Sequence, residues 1–267
     1  TVSTQSPSGT SGHPFTVRAE SYLGATMRPS ANVTILNLTN AADDYQKFVD
    51  IVFNGVNQTG TKFGIWHNAG DHIWIESCEF LNMSGSAVLI QAHNATVRNC
   101  LIHDTGLTQL DHGLYLTGSD ALFELNTIYN TSGIGVHIFS NDPAPYNLPS
   151  RNVVRKNWIH DNGTSGFNKG AVLLGVGDDN IAYDNVVFNN EYGIGPDNGG
   201  NNNQVYHNTI YLCSVFGTSI GNCTNTIVKN NIYWQNGSSD AVNNTGTGSV
   251  ISNNLQNTNP SFVTAGS

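Results

Sequence analysis

The chain is expected to fold as an all-β parallel solenoid, a single stack of about eight coils. Three observations carry that expectation: its apolar runs are too short for helices, they recur with one period, and an asparagine column keeps the same period. The clearest unit runs from Leu110 to Phe139. It opens with Gly113-Leu114-Tyr115-Leu116, continues through Leu122-Phe123-Glu124-Leu125-Asn126 and Thr127-Ile128-Tyr129-Asn130, and restarts at Gly135-Val136-His137-Ile138. Each run stops at Gly, Asn or Ser, so each reads as a short strand closed by a turn.

The period is read by counting. The glycine-like position opening the first strand of each coil gives Gly64, Ala87, Gly113, Gly135, Gly170, Gly193 and Gly217, with gaps of 23, 26, 22, 35, 23 and 24 residues. A second column before the last run gives Ser77, Asn99, Asn126, Asn157, Asn185, Asn208, Asn230 and Asn253, with gaps of 22, 27, 31, 28, 23, 22 and 23. Such periods mark solenoids rather than sandwiches or barrels. Asparagine suits these corners because its amide bonds to the asparagine stacked one coil away and its backbone tolerates left-handed turns.

Taken in order, residues 1–60 fit the period poorly and are expected to form irregular capping coils over the open N-terminal end, as solenoid ends require. Residues 61–267 then form one continuous domain of repeats. Asn253-Asn254-Leu255 is the last recognisable copy. Composition agrees: charged residues are only 11%, and the 38% hydrophobic residues recur at strand spacing. A formal charge of −9 disfavours nucleic acid and anionic membrane surfaces. No apolar stretch is long enough to span a membrane as a helix. Cys213 and Cys223, ten residues apart around one coil, are candidates for a disulfide in an oxidising compartment. Cys78 and Cys100 are expected to stack on adjacent coils as free, semi-buried thiols.

This pattern resembles the right-handed parallel β-helix superfamily of pectate lyases, alginate lyases and mannuronan epimerases, over about Lys62 to Phe262. His112-Gly113-Leu114-Tyr115 is similar to a His-Gly-x-Tyr coil of that superfamily, while the epimerase Tyr-Gly-Phe-Asp-Pro-His signature is absent. The resemblance implies a secreted, monomeric, carbohydrate-active protein. Its first reading is a lyase that cleaves an acidic polysaccharide by β-elimination. A glycoside hydrolase or uronate epimerase on the same fold, and a non-catalytic glycan-binding or structural solenoid, are the alternatives.

The irregularities locate the site. The 35-residue gap between Gly135 and Gly170 holds two insertions, Asn141 to Pro149 and Gly163 to Asn168, and a smaller one runs from Thr105 to Leu110. All three flank the first strand of neighbouring coils, and insertions on solenoids collect on the functional face. There His112, Tyr115, His137 and Lys169 are expected to converge within about 10 Å, since adjacent coils add only about 4.8 Å each. Leu114, Val136, Ala171 and Ile194 are expected to face the core, with Tyr115, His137 and Val172 facing out. β-Elimination needs a base, an acid and a neutraliser for the substrate carboxylate. His112 or His137 is the expected base, an imidazole pKa near 6.5 being suited to that work. Tyr115 is the expected acid and Lys169 the neutraliser. Asp111, Asp142, Glu191, Asp197 and Trp66 are the expected substrate-binding residues, Trp66 as a platform for sugar stacking. No cofactor is assigned; calcium is the one considered, with Glu191 and Asp197 to hold it. Ile102-His103-Asp104 and Ile159-His160-Asp161 read as structural corners, and Glu124 with Arg155 as an ion pair between coils.

Overall fold

The computed structural model describes residues 8–40, 43–140, 148–164, 170–237, 239–256 and 258–261. Its strands are three to six residues long and gather into three parallel sheets of nine, ten and nine strands. One coil contributes a strand to each: Leu114–Leu116 to the first sheet, Leu122–Glu124 to the second and Thr127–Thr131 to the third. The order within each sheet follows the chain coil by coil, which is the topology of a parallel β-helix. No helix is found among the described residues.

Alternation along each strand builds the core. In the first sheet Ile65, Val88, Leu114, Val136, Val172 and Ile194 are consecutive partners and all point inward. Phe53 and Phe80 stack inside the third sheet with ring centroids 4.7 Å apart. The glycine column preceding the first sheet is set by close approach: a Cβ at Gly113 would lie 2.6 Å from the Gly135 carbonyl oxygen. Residues before Gly60 supply further coils. Phe15–Arg18, Ala25–Met27 and Leu36–Leu38 pair in parallel with Gln46–Val49, Ile51–Asn54 and Ile65–His67, one pair in each sheet.

Two details depart from the sequence reading. The expected asparagine column merges two adjacent ones. Ser77, Asn99, Leu125, Lys156, Asp184, His207, Asn230 and Asn253 are the corner residues with left-handed backbone, φ between 53° and 57°. The hydrogen-bonded stack is the next position: Asn126, Asn157, Asn185, Asn208, Asn231 and Asn254, each Nδ2 donating to the following Oδ1 at 2.9–3.0 Å. Two shorter stacks, Asn152 with Asn180 and Asn162 with Asn190, occupy the other corners. Cys78 and Cys100 hold the same position in earlier coils. The Cys100 thiol donates to the Ile75 carbonyl at 3.6 Å as the Asn126 amide donates to Val97, the register partner of Ile75.

The second departure is a frame shift. Val136 pairs with Val172, so Val172 is an inward residue, 2% exposed, and Leu173 takes the outward place beside His137. Ala171 rather than Gly170 is therefore the equivalent of Gly135. The long insertion before Gly170 carries one residue more than the glycine spacing allowed for.

The four cysteines are free and buried. Cys213 and Cys223 lie on either side of the strand Phe216–Ile220. Five extended residues span roughly 16 Å, well beyond the roughly 7 Å Cα separation a disulfide tolerates. The expected pairing is corrected on that ground.

Candidate functional site

On the outer faces of two sheets the polar and aromatic side chains are largely paired with one another, with a shallow pocket on the second sheet lined by Lys47, Trp74, Glu76 and Arg98. On the second sheet Glu76 pairs with Lys47 at 2.8 Å and Arg98 at 2.7 Å, and Glu124 with Arg155 at 2.6 Å; Arg155 also donates to the Tyr183 hydroxyl at 2.8 Å. On the third, His103, Tyr129, His160, Phe188 and Tyr211 stack face to face, with successive centroids 4.6–5.2 Å apart. The Ile-His-Asp corners are tied locally, His103 Nδ1 to Asp104 at 2.7 Å and His160 Nδ1 to Asp161 at 2.6 Å. These rings turn their faces to one another and leave only edges to solvent.

The first sheet is different. Its outward column reads Asn37, Trp66, Leu89, Tyr115, His137 and Leu173 in consecutive partners. Tyr115 stacks on His137, centroids 4.8 Å apart and planes 13° from parallel, and Phe139 covers the other side of that imidazole at 5.4 Å. His112, between the short insertion and the strand, meets both edge-on at 5.2 Å from Tyr115 and 4.2 Å from His137. Three of the four expected catalytic residues thus form one cluster, and Lys169 lies outside the described residues. Trp66 lies two coils from Tyr115 on the same face, its indole N–H donating to Gln91 at 2.8 Å. Phe139 and Leu173 were not anticipated. Phe139 keeps the outward parity of His137 two residues on, which the sequence shows once the strand is framed on Val136.

His112 has a different environment from the one its sequence suggested. It is 3% exposed, and both ring nitrogens are engaged: Nδ1 accepts the Ile134 backbone N–H at 3.0 Å, and Nε2 lies 2.8 Å from His137 Nδ1. Its backbone N–H donates to Ser86 Oγ at 2.8 Å. With both ring nitrogens engaged, His112 presents no open lone pair to the solvent side of the cluster. The expected pKa near 6.5 is also corrected. Burial pushes His112 down to about 4. It lowers His137 well below the usual imidazole range, with the adjoining His112 acting in the same direction.

The carboxylates do not gather at the cluster. Asp111, 1% exposed, accepts the Leu107 and Thr108 backbone N–H groups and the Thr108 hydroxyl on one oxygen, at 3.0, 2.7 and 2.9 Å. It ties its own insertion together rather than facing a substrate. Glu191 precedes and Asp197 follows the strand Tyr192–Pro196, and Asp197 Oδ1 accepts the Asn198 N–H at 2.6 Å. The two acids therefore stand at opposite ends of a strand and do not form a joint calcium site. No group of three or more His, Cys, Asp or Glu side chains placed to hold a metal occurs among the described residues. Asp142 lies outside them.

Residues 24–168 and 110–255 match the family model described as the right handed beta helix region. The chain belongs to the right-handed β-helix family. Solved structures of similar shape include an alginate lyase from Paenibacillus sp. str. FPU-7, 15% identical, with a TM-score of 0.66 over 90% of this chain and 85% of that one. The Geobacillus virus E2 ORF18 protein, 11% identical, superposes with a TM-score of 0.72 over 86% of this β-helix and only 48% of its own length. Pectate lyase Pel9A, 13% identical, gives 0.57 over 90% of this chain and 64% of that one. No curated protein matches the sequence. At such identities the likeness defines the fold, and function rests on the site.

Proposed function

We propose that this β-helix is a polysaccharide lyase acting on an acidic polysaccharide, with its site on the outer face of the first sheet around Tyr115 and His137. The observation that carries the reading is the His112–His137–Tyr115 cluster, a phenol stacked on a partly exposed imidazole in line with Trp66 and beside the chain's insertions. In β-elimination the proton next to the sugar carboxyl leaves, the carbon–oxygen bond on the adjacent carbon breaks, a carbon–carbon double bond forms, and the departing glycosidic oxygen takes up a proton. That chemistry asks for a positioned proton-transfer group, which Tyr115 supplies, and for a polar contact to the carboxylate. Trp66, half-buried on the same face, offers apolar surface for a neighbouring sugar. Hydrolysis by a carboxylate pair has less support, since Asp111 is spent on its own loop and Glu191 and Asp197 stand apart. The reading carries with it a setting outside the cell, where such polymers occur.

The test is a panel of alginate, pectate, glucuronan, glycosaminoglycans and neutral glycans, assayed with and without calcium. The expected product is an unsaturated sugar that absorbs in the ultraviolet. Reducing ends without that absorbance would establish hydrolysis instead, and retention of unchanged polymer would establish a binding protein.

A further inference from the structure

The geometry points to a fixed division of labour inside the histidine pair: His112 is a positioning residue that locks His137 with its proton on Nε2, so that His137 serves as a hydrogen-bond donor to the substrate carboxylate and not as the base. The argument starts from a backbone group. The Ile134 N–H cannot accept, so His112 Nδ1, 3.0 Å away, must be the lone-pair nitrogen. The neutral His112 ring then carries its proton on Nε2. That N–H lies 2.8 Å from His137 Nδ1 and donates to it, which makes Nδ1 of His137 an acceptor and places its own proton on Nε2. His137 is the more exposed ring of the two, and its Nε2 has no hydrogen-bond partner among the described residues. A second proton has nowhere to go without breaking one of these bonds, and the burial that lowers both rings acts in the same sense.

The consequence rests on the lyase reading. A neutral N–H that cannot accept is unsuited to removing a proton and suited to holding the carboxylate whose charge grows during elimination. Tyr115, stacked on the same ring at 4.8 Å, is left as the side chain of the trio that moves the proton.

The pair can be read without any substrate. In the whole protein labelled with 15N-histidine, long-range proton–nitrogen spectra distinguish the two tautomers, and His112→Phe and His137→Gln assign the signals. Both rings are expected to show a protonated Nε2 and a bare Nδ1 at pH 7, and to stay so at pH 5.5. A proton on His137 Nδ1, or a doubly protonated ring at pH 5.5, overturns the lock. With a substrate from the panel, His137→Gln, which keeps an amide donor in the Nε2 place, is expected to retain kcat/KM to within about tenfold, while His137→Phe loses about tenfold to a hundredfold more, the range for a lost bond to a charged group. Equal collapse of both variants would make His137 the base and overturn the donor role. Absence of turnover on every polymer would refute the lyase reading while leaving the tautomer lock standing, so the two failures are distinguishable.

Discussion

Replacing His67 with leucine should stabilise the protein and flatten its response to acid. His67 is 0% exposed and occupies an inward column between Leu38 and Ile90, with neither ring nitrogen hydrogen-bonded among the described residues. Desolvation pushes its pKa down to about 4, and the nearby Asp43 backbone and the Asp71 and Asp44 carboxylates offset only part of that. An imidazole buried without partners costs about 1–3 kcal/mol. Leucine is close in size and adds apolar surface, so His67→Leu should gain about that much at pH 7. The pH term follows from linkage. The folded ring holds its proton only below about 4, whereas the unfolded ring takes one near 6.5. Unfolding is therefore favoured progressively as pH falls between those values, and the term is absent above them. A gap of about 2.5 pH units at about 1.36 kcal/mol each gives roughly 3.4 kcal/mol. His112, also at about 4, and His137 contribute slopes of the same sign, so the variant should lose part of the acid sensitivity and keep the rest. Guanidinium unfolding followed by tryptophan fluorescence at pH 7 and pH 4.5 measures both quantities. A variant less stable at pH 7 with an unchanged slope would refute the reasoning, because the ring would then have to be satisfied where it sits.

Three further outcomes follow from the same coordinates. Tyr115→Phe should lower turnover at least about a hundredfold on any polymer the panel identifies, with an unchanged unfolding midpoint; a variant at full rate removes Tyr115 from the proton transfer. Asn185→Ala breaks the side-chain bonds to Asn157, Asn208 and Val154 at once, keeping only the backbone N–H bond to Asn208, and leaves buried partners unpaired. It should cost about 2–4 kcal/mol of unfolding free energy, and a loss below about 0.5 kcal/mol would mean that the stack is not a source of stability. Leu125 is 53% exposed with φ at 57°, a conformation that costs an L-residue about 1–2 kcal/mol. Leu125→Asn should therefore raise the unfolding midpoint, and a fall would indicate that the leucine side chain packs in a way its exposure does not suggest.

Periodicity made the solenoid legible, because a coil that buries its apolar face only by stacking must repeat its pattern. The outward stacking of Tyr115 and His137 was legible for the same reason, since strand parity depends only on counting. What counting could not supply was register across an insertion: one additional residue before Ala171 moved Val172 into the core and Leu173 to the surface. The two asparagine columns merged because they are adjacent, and only the backbone separates the residue that turns from the one whose amide bonds. The fate of His112 was hidden too. Its neighbours in sequence are polar, and the group that fixes its ring is the backbone of Ile134 in the next coil. Asp111 shows the same effect, an acid that looks available beside a strand yet is consumed by its own loop.

The strict coil-to-coil pairing gives the molecule a modular length. Asn185 and Asn208 occupy equivalent places in the stack, and each is followed by a strand of the third sheet, Val186–Phe188 and Thr209–Tyr211. Excising residues 186–208 would join Asn185 directly to Thr209 and leave every remaining column in phase. Such a chain would be shorter by one step of about 4.8 Å along its axis, with the new junction one coil beyond His137 and two beyond Tyr115. On the proposed lyase reading, genetic gain or loss of whole coils on that side would tune how much of an extended polymer lies along the surface without rebuilding the chemistry.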